Sequence, residues 1–482
     1  MMPACASCER TANRSRFEPR PRIGYNLRVS ETRLRFDGGT LVLEGRTPTP
    51  LPPWFEWDER IEKYRAPAVD RRRILDYLAE CREVVQDNSS QSKSLKLKLR
   101  TDYISRPYQR EALDAWREAG GRGTVVLPTG AGKTFIALGA IEGTARGALV
   151  VAPTIDLMNQ WYSLLVDSFG IEIGILGGGH HEIRDITVTT YDSAYIYAAE
   201  YGNRFDLIVF DEVHHLPSAK NQQIALMSTA WFRLGLTATY ERQDGAHELL
   251  DYMIGPVVYS KSVKELKGEY LSDYDVVRIR ASLTEDEAER YAASSKLYYA
   301  FVRRTGIKPF GAGWVELLKM SAYDESARRA LIAKQEMKRI VIGSERKLEV
   351  LDSLLKQHFA DKIIIFTEQN DLVYRISREF LIPAITYQTK TRERKWILDG
   401  YKNDTFHAIV TSKVLNEGID VPSAKVAIIL SGSASPREHL QRLGRILRKG
   451  GARRTAVLYE VVTSATTETN VSSRRRKSDA YA

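Results

Sequence analysis

Three short stretches carry residue types suited to phosphate chemistry. The first is 125–134, Val-Val-Leu-Pro-Thr-Gly-Ala-Gly-Lys-Thr, followed by an apolar helical pattern at Phe135, Ile136 and Leu138. A strand that stops at a glycine-rich turn aims successive backbone N–H groups at one point, and the positive end of the next helix adds to them. Thr129, Gly130, Ala131 and Gly132 form this cradle, Lys133 reaches the β/γ-phosphates and Thr134 offers its hydroxyl to Mg²⁺. Leu127 stands where the strict pattern has its first glycine. The second stretch is 206–212, an apolar run that ends in Asp211-Glu212. A hydrolytic ATPase needs such a pair: Asp211 to hold Mg²⁺, largely through water, and Glu212 to orient and deprotonate the attacking water. The third is 441–448, Gln-Arg-Leu-Gly-Arg-Ile-Leu-Arg. Arg445 and Arg448 are candidate arginine fingers, each placing a delocalised charge on a γ-phosphate, with Gln441 beside them.

These residues need rigid elements to hold them. Short apolar runs at 124–127, 148–151, 186–190, 207–210 and 234–236 alternate with helical segments, which reads as a parallel sheet with helices on both faces. Ligands on such sheets collect at the carboxyl ends of the strands. The rhythm returns at 363–367, 385–387, 408–411, 426–430 and 456–462, without a second phosphate loop. Between the two sheets, 285–340 reads as helical, and 290–339 holds eleven Lys/Arg against four Asp/Glu. That excess fits either a solvated face or a grip on nucleic acid.

The amino-terminal part differs. Residues 1–22 read as a mobile arm. A small module follows, with a hairpin through Asp37-Gly38-Gly39, a cluster of Trp54, Phe55 and Trp57 expected in its core, and a helix marked by Ile74, Leu78, Cys81 and Val85. Arg71-Arg72-Arg73 makes nucleic-acid contact a second reading of this module. Residues 88–92, Asn-Ser-Ser-Gln-Ser, read as a linker, and the alternation of Leu95, Leu97 and Leu99 with basic residues reads as an edge strand. The domain limits are therefore 23–90, 91–265, 285–340 and 341–463, with a basic tail at 464–482.

At 482 residues, 43% of them apolar, the chain can build several cores. Its net charge of +10 leans toward a polyanionic partner. Three cysteines fit a reducing compartment, and Cys5-x-x-Cys8 lacks the second pair a zinc site needs. No run reaches the ~20 apolar residues of a membrane span, so an intracellular, soluble protein with no membrane partner is expected.

Together Arg106-Pro107-Tyr108-Gln109, the phosphate loop, Ala152-Pro153-Thr154, Asp211-Glu212-Val213-His214-His215, Leu236-Thr237-Ala238-Thr239, Asn416-Glu417-Gly418-Ile419-Asp420 and 441–448 resemble the ordered motif set of superfamily 2 helicases. The Asp-Glu-Val-His-His box, and the small module with Phe36-Asp37-Gly38-Gly39 and Trp54-Phe55-Glu56-Trp57, resemble the XPB branch, the length being closer to its archaeal members. The resemblance implies two RecA-like domains binding ATP between them, a damage-recognition-like module and a helical thumb inserted between the motor domains. It implies that Arg106 and Gln109 serve the nucleotide, with Gln109 on adenine, and that Gly418 and Asp420 join them. His214, Thr237 and Thr239 then link hydrolysis to domain motion. Strand-end loops at Thr154, Thr190 and Thr411 would meet the DNA backbone. In XPB-type proteins an Arg-Glu-Asp triplet after the Thr-Ala-Thr box is associated with strand separation; here it is Arg242-Gln243-Asp244.

The expected activity is an ATP-driven 3′–5′ DNA helicase or translocase in repair or transcription, acting on single-stranded, duplex or forked DNA. Archaeal relatives imply a nuclease partner and, for this chain, a place in the cytoplasm or nucleoid. Two other readings stand beside it: an RNA-remodelling helicase, and an ATP-switched docking platform with weak unwinding, which the missing acid at Gln243 keeps open.

Overall fold

The computed structural model describes residues 32–100, 104–242, 244–266, 274–307, 312–412, 424–431 and 456–469. The chain divides into two units, 1–125 with 133–259 and 126–132 with 260–482.

The first unit opens with a five-stranded sheet, β1 (Thr32–Asp37), β2 (Thr40–Gly45), β3 (Glu56–Asp58), β4 (Lys63–Pro67) and β5 (Val85–Asn88), in the order β3-β4-β2-β1-β5. The β1–β2 hairpin turns through Gly38 and Gly39, both at positive φ. A Cβ on Gly39 would lie 2.6 Å from Met227 Cγ, so this turn has to be glycine for the sheet to approach the next domain. Leu34, Leu41, Leu43, Phe55, Ile74 and Leu78 form its core. Trp57 does not join them: it is 53% exposed and meets Tyr64 edge-on at 5.0 Å.

Arg71, Arg72 and Arg73 face the next domain, which corrects the nucleic-acid reading of that run. Arg71 donates to Asp87 at 2.7 Å, to Asp206 at 3.4 Å and to the Thr229 carbonyl at 3.2 Å. Arg72 donates to the Gly120 carbonyl at 2.9 Å, and both guanidiniums lie over the Trp231 ring. Arg73 pairs with Asp70, whose other oxygen accepts from Tyr252 at 2.9 Å. The expected linker is also pinned: Ser89 is fully buried, Ser90 donates to Asp206 at 3.1 Å and the Gln91 amide to the Asn203 carbonyl at 2.8 Å. Residues 95–99 keep their alternating burial but form no strand. A single bridge, Ser94 with Arg146, stands where a ladder was expected. The segment lies instead along the helix Lys133–Thr144, with the Leu95 amide on the Ala145 carbonyl and the Leu99 amide on Glu142.

The larger sheet holds β6 (Arg122–Val126), β7 (Ala148–Ala152), β8 (Gly174–Gly177), β9 (His180–Glu182), β10 (Ile186–Thr190), β11 (Leu207–Asp211), β12 (Phe232–Thr237) and β13 (Val257–Ser260), ordered β13-β6-β12-β11-β7-β10-β8-β9. β7, β8, β10, β11 and β12 pair in parallel, and β11 lies between β7 and β12. The β8–β9 hairpin was not legible in the sequence. β11 is buried on both faces until Asp211, so its continuous apolar run ends in carboxylates at the carboxyl end of a central strand.

The second unit has β14 (Tyr274–Ala281), β15 (Ile363–Phe366), β16 (Ala384–Ile385), β17 (Ala408–Thr411), β18 (Val426–Ile429) and β19 (Ala456–Thr463), ordered β14-β19-β18-β15-β17-β16. β14 precedes the helices Glu285–Thr305, Ala312–Met320 and Glu325–Gly343, yet pairs with β19 throughout. The helices thus interrupt the second sheet and do not merely separate two sheets. They share a core of Tyr298, Phe301, Leu317, Ala330 and Met337. Residues after β19 are not yet a tail. Glu468 is buried, accepts from the Thr463 amide at 2.8 Å and pairs with the buried Lys347 at 2.6 Å, while Lys347 also donates to the Leu430 carbonyl at 2.8 Å.

Candidate nucleotide-hydrolysis site

The phosphate loop leaves β6 with Leu127 fully buried. Gly130 and Gly132 have φ of +85° and +74°, the left-handed region that lets alternate N–H groups converge. Thr129 Oγ1 is buried and has no hydrogen-bond partner among the described residues. Lys133 and Thr134 open a helix fixed by buried Ile136, Leu138 and Ile141.

Asp211 ends β11. Its Oδ2 accepts from Trp161 Nε1 at 2.9 Å and its Oδ1 from the Glu212 amide at 3.1 Å, while its carbonyl accepts from Tyr191 OH at 3.0 Å. Burial, together with the charge of Glu212, pushes the Asp211 carboxyl up to about 6, against the pull of Trp161 and the Lys133 ammonium. Glu212 has φ 50° and ψ 55°, left-handed backbone that an L side chain rarely adopts. Its Oε2 is buried without a hydrogen bond, 3.4 Å from His214 Nδ1.

Two adjoining carboxylates, one orphaned and one raised, facing a lysine, fit a divalent cation carried on phosphates. Among the described residues no three metal-ligating side chains cluster. A Mg²⁺ held by one carboxylate, a hydroxyl, water and substrate phosphate needs no such cluster. The orphaned Thr129 hydroxyl and the nest at Gly130 and Gly132 fit the phosphates.

The residues expected to link hydrolysis to motion are joined. Thr237 Oγ1 lies 2.9 Å from His214 Nδ1, accepts from the Thr239 amide at 3.1 Å and donates to the Thr239 carbonyl at 2.8 Å. Its one proton being used there, it accepts from His214, which fixes the Nδ1–H tautomer. Arg242 forks onto Asp244 at 2.9 and 2.6 Å and donates to the His214 carbonyl at 2.6 Å. Both ends of the triplet are therefore held within the protein; Gln243 lies outside the described residues.

Gln109 is buried, and its Oε1 accepts from the Arg106 amide at 2.9 Å at the start of the helix Pro107–Glu118. The hydroxyls expected to face DNA make local hydrogen bonds. Thr154 Oγ1 accepts from the Leu157 amide and Thr190 Oγ1 from the Ser193 amide, each capping a helix, and the fully buried Thr411 donates to the Ser412 carbonyl. Gly418, Asp420, Gln441, Arg445 and Arg448 lie outside the described residues.

Sequence reasoning missed Trp161, the Tyr191 hydroxyl and Asn221, which donates to the His215 carbonyl at 3.0 Å. Trp161 sits at core spacing in the helix Ile155–Phe169, and nothing in its neighbourhood marks its indole N–H as a ligand of Asp211.

The chain is similar to several known proteins. Residues 318–478 match the family described as ERCC3/RAD25/XPB C-terminal helicase. Residues 34–88 match the xeroderma pigmentosum group B helicase damage recognition domain, and 102–242 the Type III restriction enzyme, res subunit. The DNA 3′-5′ translocase XPB2 of Sulfurisphaera tokodaii is 42% identical over 427 residues, 88% of this chain and 96% of that protein. The DNA 3′-5′ helicase XPB of Kineococcus radiotolerans is 31% identical over 77% of this chain and 62% of its own length. The XPB/SSL2 helicase/translocase subunit of general transcription and DNA repair factor IIH from Saccharomyces cerevisiae is 24% identical over 81% of this chain and 45% of its own length. In fold, the Hef helicase domain of Pyrococcus furiosus aligns with a TM-score of 0.52 at 20% identity, over 78% of this chain and 99% of that one.

Proposed function

The chain belongs to the XPB family of superfamily 2 helicases, and from that premise we propose that it is an ATP-driven DNA translocase and helicase of 3′–5′ polarity, serving repair or transcription. The observation that carries the reading is the Asp211–Glu212 pair at the end of β11, one carboxyl raised and the other with its buried Oε2 left without a hydrogen bond.

ATP with Mg²⁺ supplies the scissile phosphoanhydride and its charge neutralisation. Thr129 to Gly132 cradle phosphate oxygens, Lys133 draws charge toward the γ-phosphate, and Thr134 and Asp211 hold the metal, Asp211 largely through water. Glu212 orients a water and takes its proton; its orphaned Oε2 is the acceptor for it. Arg106 and Gln109 serve the nucleotide's other end, and Gly418 and Asp420 join from the second motor domain. By the family reading Gln441, Arg445 and Arg448 serve the γ-phosphate, and the γ-phosphate would then act as the switch of the motor. His214, Thr237 and Thr239 pass that switch along. A nuclease partner and an intracellular location follow from the same family reading. Among the described residues no helix is long and apolar enough to cross a membrane.

The deciding experiment is ATP turnover against single-stranded, duplex and forked DNA and against RNA, in a salt series. Stimulation by DNA that falls steeply with salt is expected, because backbone contacts release counterions. Stimulation by RNA alone would overturn the DNA reading. Lys133→Ala should abolish turnover; near-normal hydrolysis in that variant would remove the phosphate-loop assignment. Arg445→Ala should keep ATP binding and lose about 10³-fold in turnover, as arginine fingers do.

A further inference from the structure

The turn that carries Glu212 is left-handed at its first residue and then a 3₁₀ turn, Val213–His215. A non-glycine residue in that region is strained and persists only where its surroundings over-determine it. The surroundings are specific. Three side chains from three separate places each donate to a backbone carbonyl of this one turn. Tyr191 OH, from the helix Tyr191–Ile196, holds the Asp211 carbonyl at 3.0 Å. Arg242 Nη1, after β12, holds the His214 carbonyl at 2.6 Å. Asn221 Nδ2, before the helix Gln222–Leu226, holds the His215 carbonyl at 3.0 Å.

We infer that Tyr191, Asn221 and Arg242 are positioning residues for hydrolysis, clamping the strained turn so that the Glu212 carboxylate is aimed at the attacking water. This rests on the ATPase reading above. It assigns Arg242 a task different from strand separation: its fork onto Asp244 leaves one guanidinium edge to brace His214, whose ring sits 3.4 Å from Glu212 Oε2. Asp244 then acts through Arg242, fixing the plane of the guanidinium. The loop after β12 thereby reports its position to the base through one hydrogen bond, and a shift of that loop by DNA would retune Glu212 without touching the nucleotide.

The test uses the full chain and four variants, Tyr191→Phe, Asn221→Ala, Arg242→Ala and Arg242→Lys, with turnover, KM for ATP, affinity for a fluorescent ATP analogue and thermal midpoint measured for each. The expected result is a fall in kcat of about tenfold or more, as misplacement of a catalytic group gives, with KM and analogue affinity within about twofold of the wild type. Arg242→Lys should recover part of the loss in kcat, since an ammonium can still donate to the carbonyl. Unchanged kcat in all three truncations would overturn the inference. So would a parallel loss of kcat, analogue affinity and thermal midpoint, because that pattern marks general unfolding. Wild-type protein without DNA-stimulated hydrolysis would instead bring down the ATPase reading, so the two failures are distinct.

Discussion

Glu212 combines backbone strain with a half-buried carboxylate beside a second one, so it opposes stability where it serves chemistry. Asn tolerates left-handed backbone and removes the charge facing Asp211. Glu212→Asn should therefore reduce hydrolysis to background while raising stability by about 1 kcal/mol, read as a higher thermal midpoint; a lower midpoint would contradict the strain. At this scale the sequence was most informative where chemistry depends on residue type and near spacing. The loop 129–134 and the pair Asp211–Glu212 needed only a strand that stops at the right place. Trp161 and Tyr191 act through Asp211, distant in the chain, and Asn221 through the nearby His215 carbonyl; each looks locally like an ordinary core or turn residue. The threonines at 154, 190 and 411 carry a local structural role that their residue type alone does not announce. At 154 and 190 the hydroxyl oxygen caps an orphan backbone N–H, and at 411 the hydroxyl donates to a neighbouring carbonyl.

Among the elements, alternation proved a sound guide to burial and a weak one to pairing. Residues 95–99 alternate as a strand does, yet neighbouring backbone and Glu142 take up the amides of Leu95 and Leu99 where a strand would have. The short segment after β19 shows the opposite case, a polar Thr-rich stretch that is structural because Glu468 meets Lys347 in the interior. Lys347→Met leaves that carboxylate buried without its counter-charge and should cost about 3–5 kcal/mol, measurable as an earlier unfolding transition in denaturant. Adding Glu468→Gln should restore much of the loss, and an undiminished single variant would show the pair to be dispensable. The βα rhythm gave both large sheets because fully buried parallel strands write continuous apolar runs. β8 and β9 escaped because they are short, and β9 is exposed along its whole length.

For the molecule as a whole, the small amino-terminal sheet is fastened to the larger sheet's domain and does not swing on a linker. Arg71 and Arg72 were visible as a basic run, but the carboxylates, carbonyls and Trp231 ring that receive them come from residues far along the chain. Arg71→Ala with Arg72→Ala should release the module: trypsin should cleave after Lys93 faster than in the wild type, while DNA-independent ATP turnover stays unchanged. Equal cleavage rates would mean that the apolar contacts alone suffice. The charge of +10 is thus partly internal wiring and not all available to a polyanion.

The pairing of β14 with β19 also has a consequence for biosynthesis. Tyr274 leaves the ribosome long before Ala456, its partner in the finished sheet. Until then β14 has no neighbour on its inner side, whereas the helices between them can pack on one another from local contacts. During synthesis the inserted helices therefore mature inside a host domain that does not yet exist, and β14 waits as an open edge, the form of nascent chain that chaperones are built to shield.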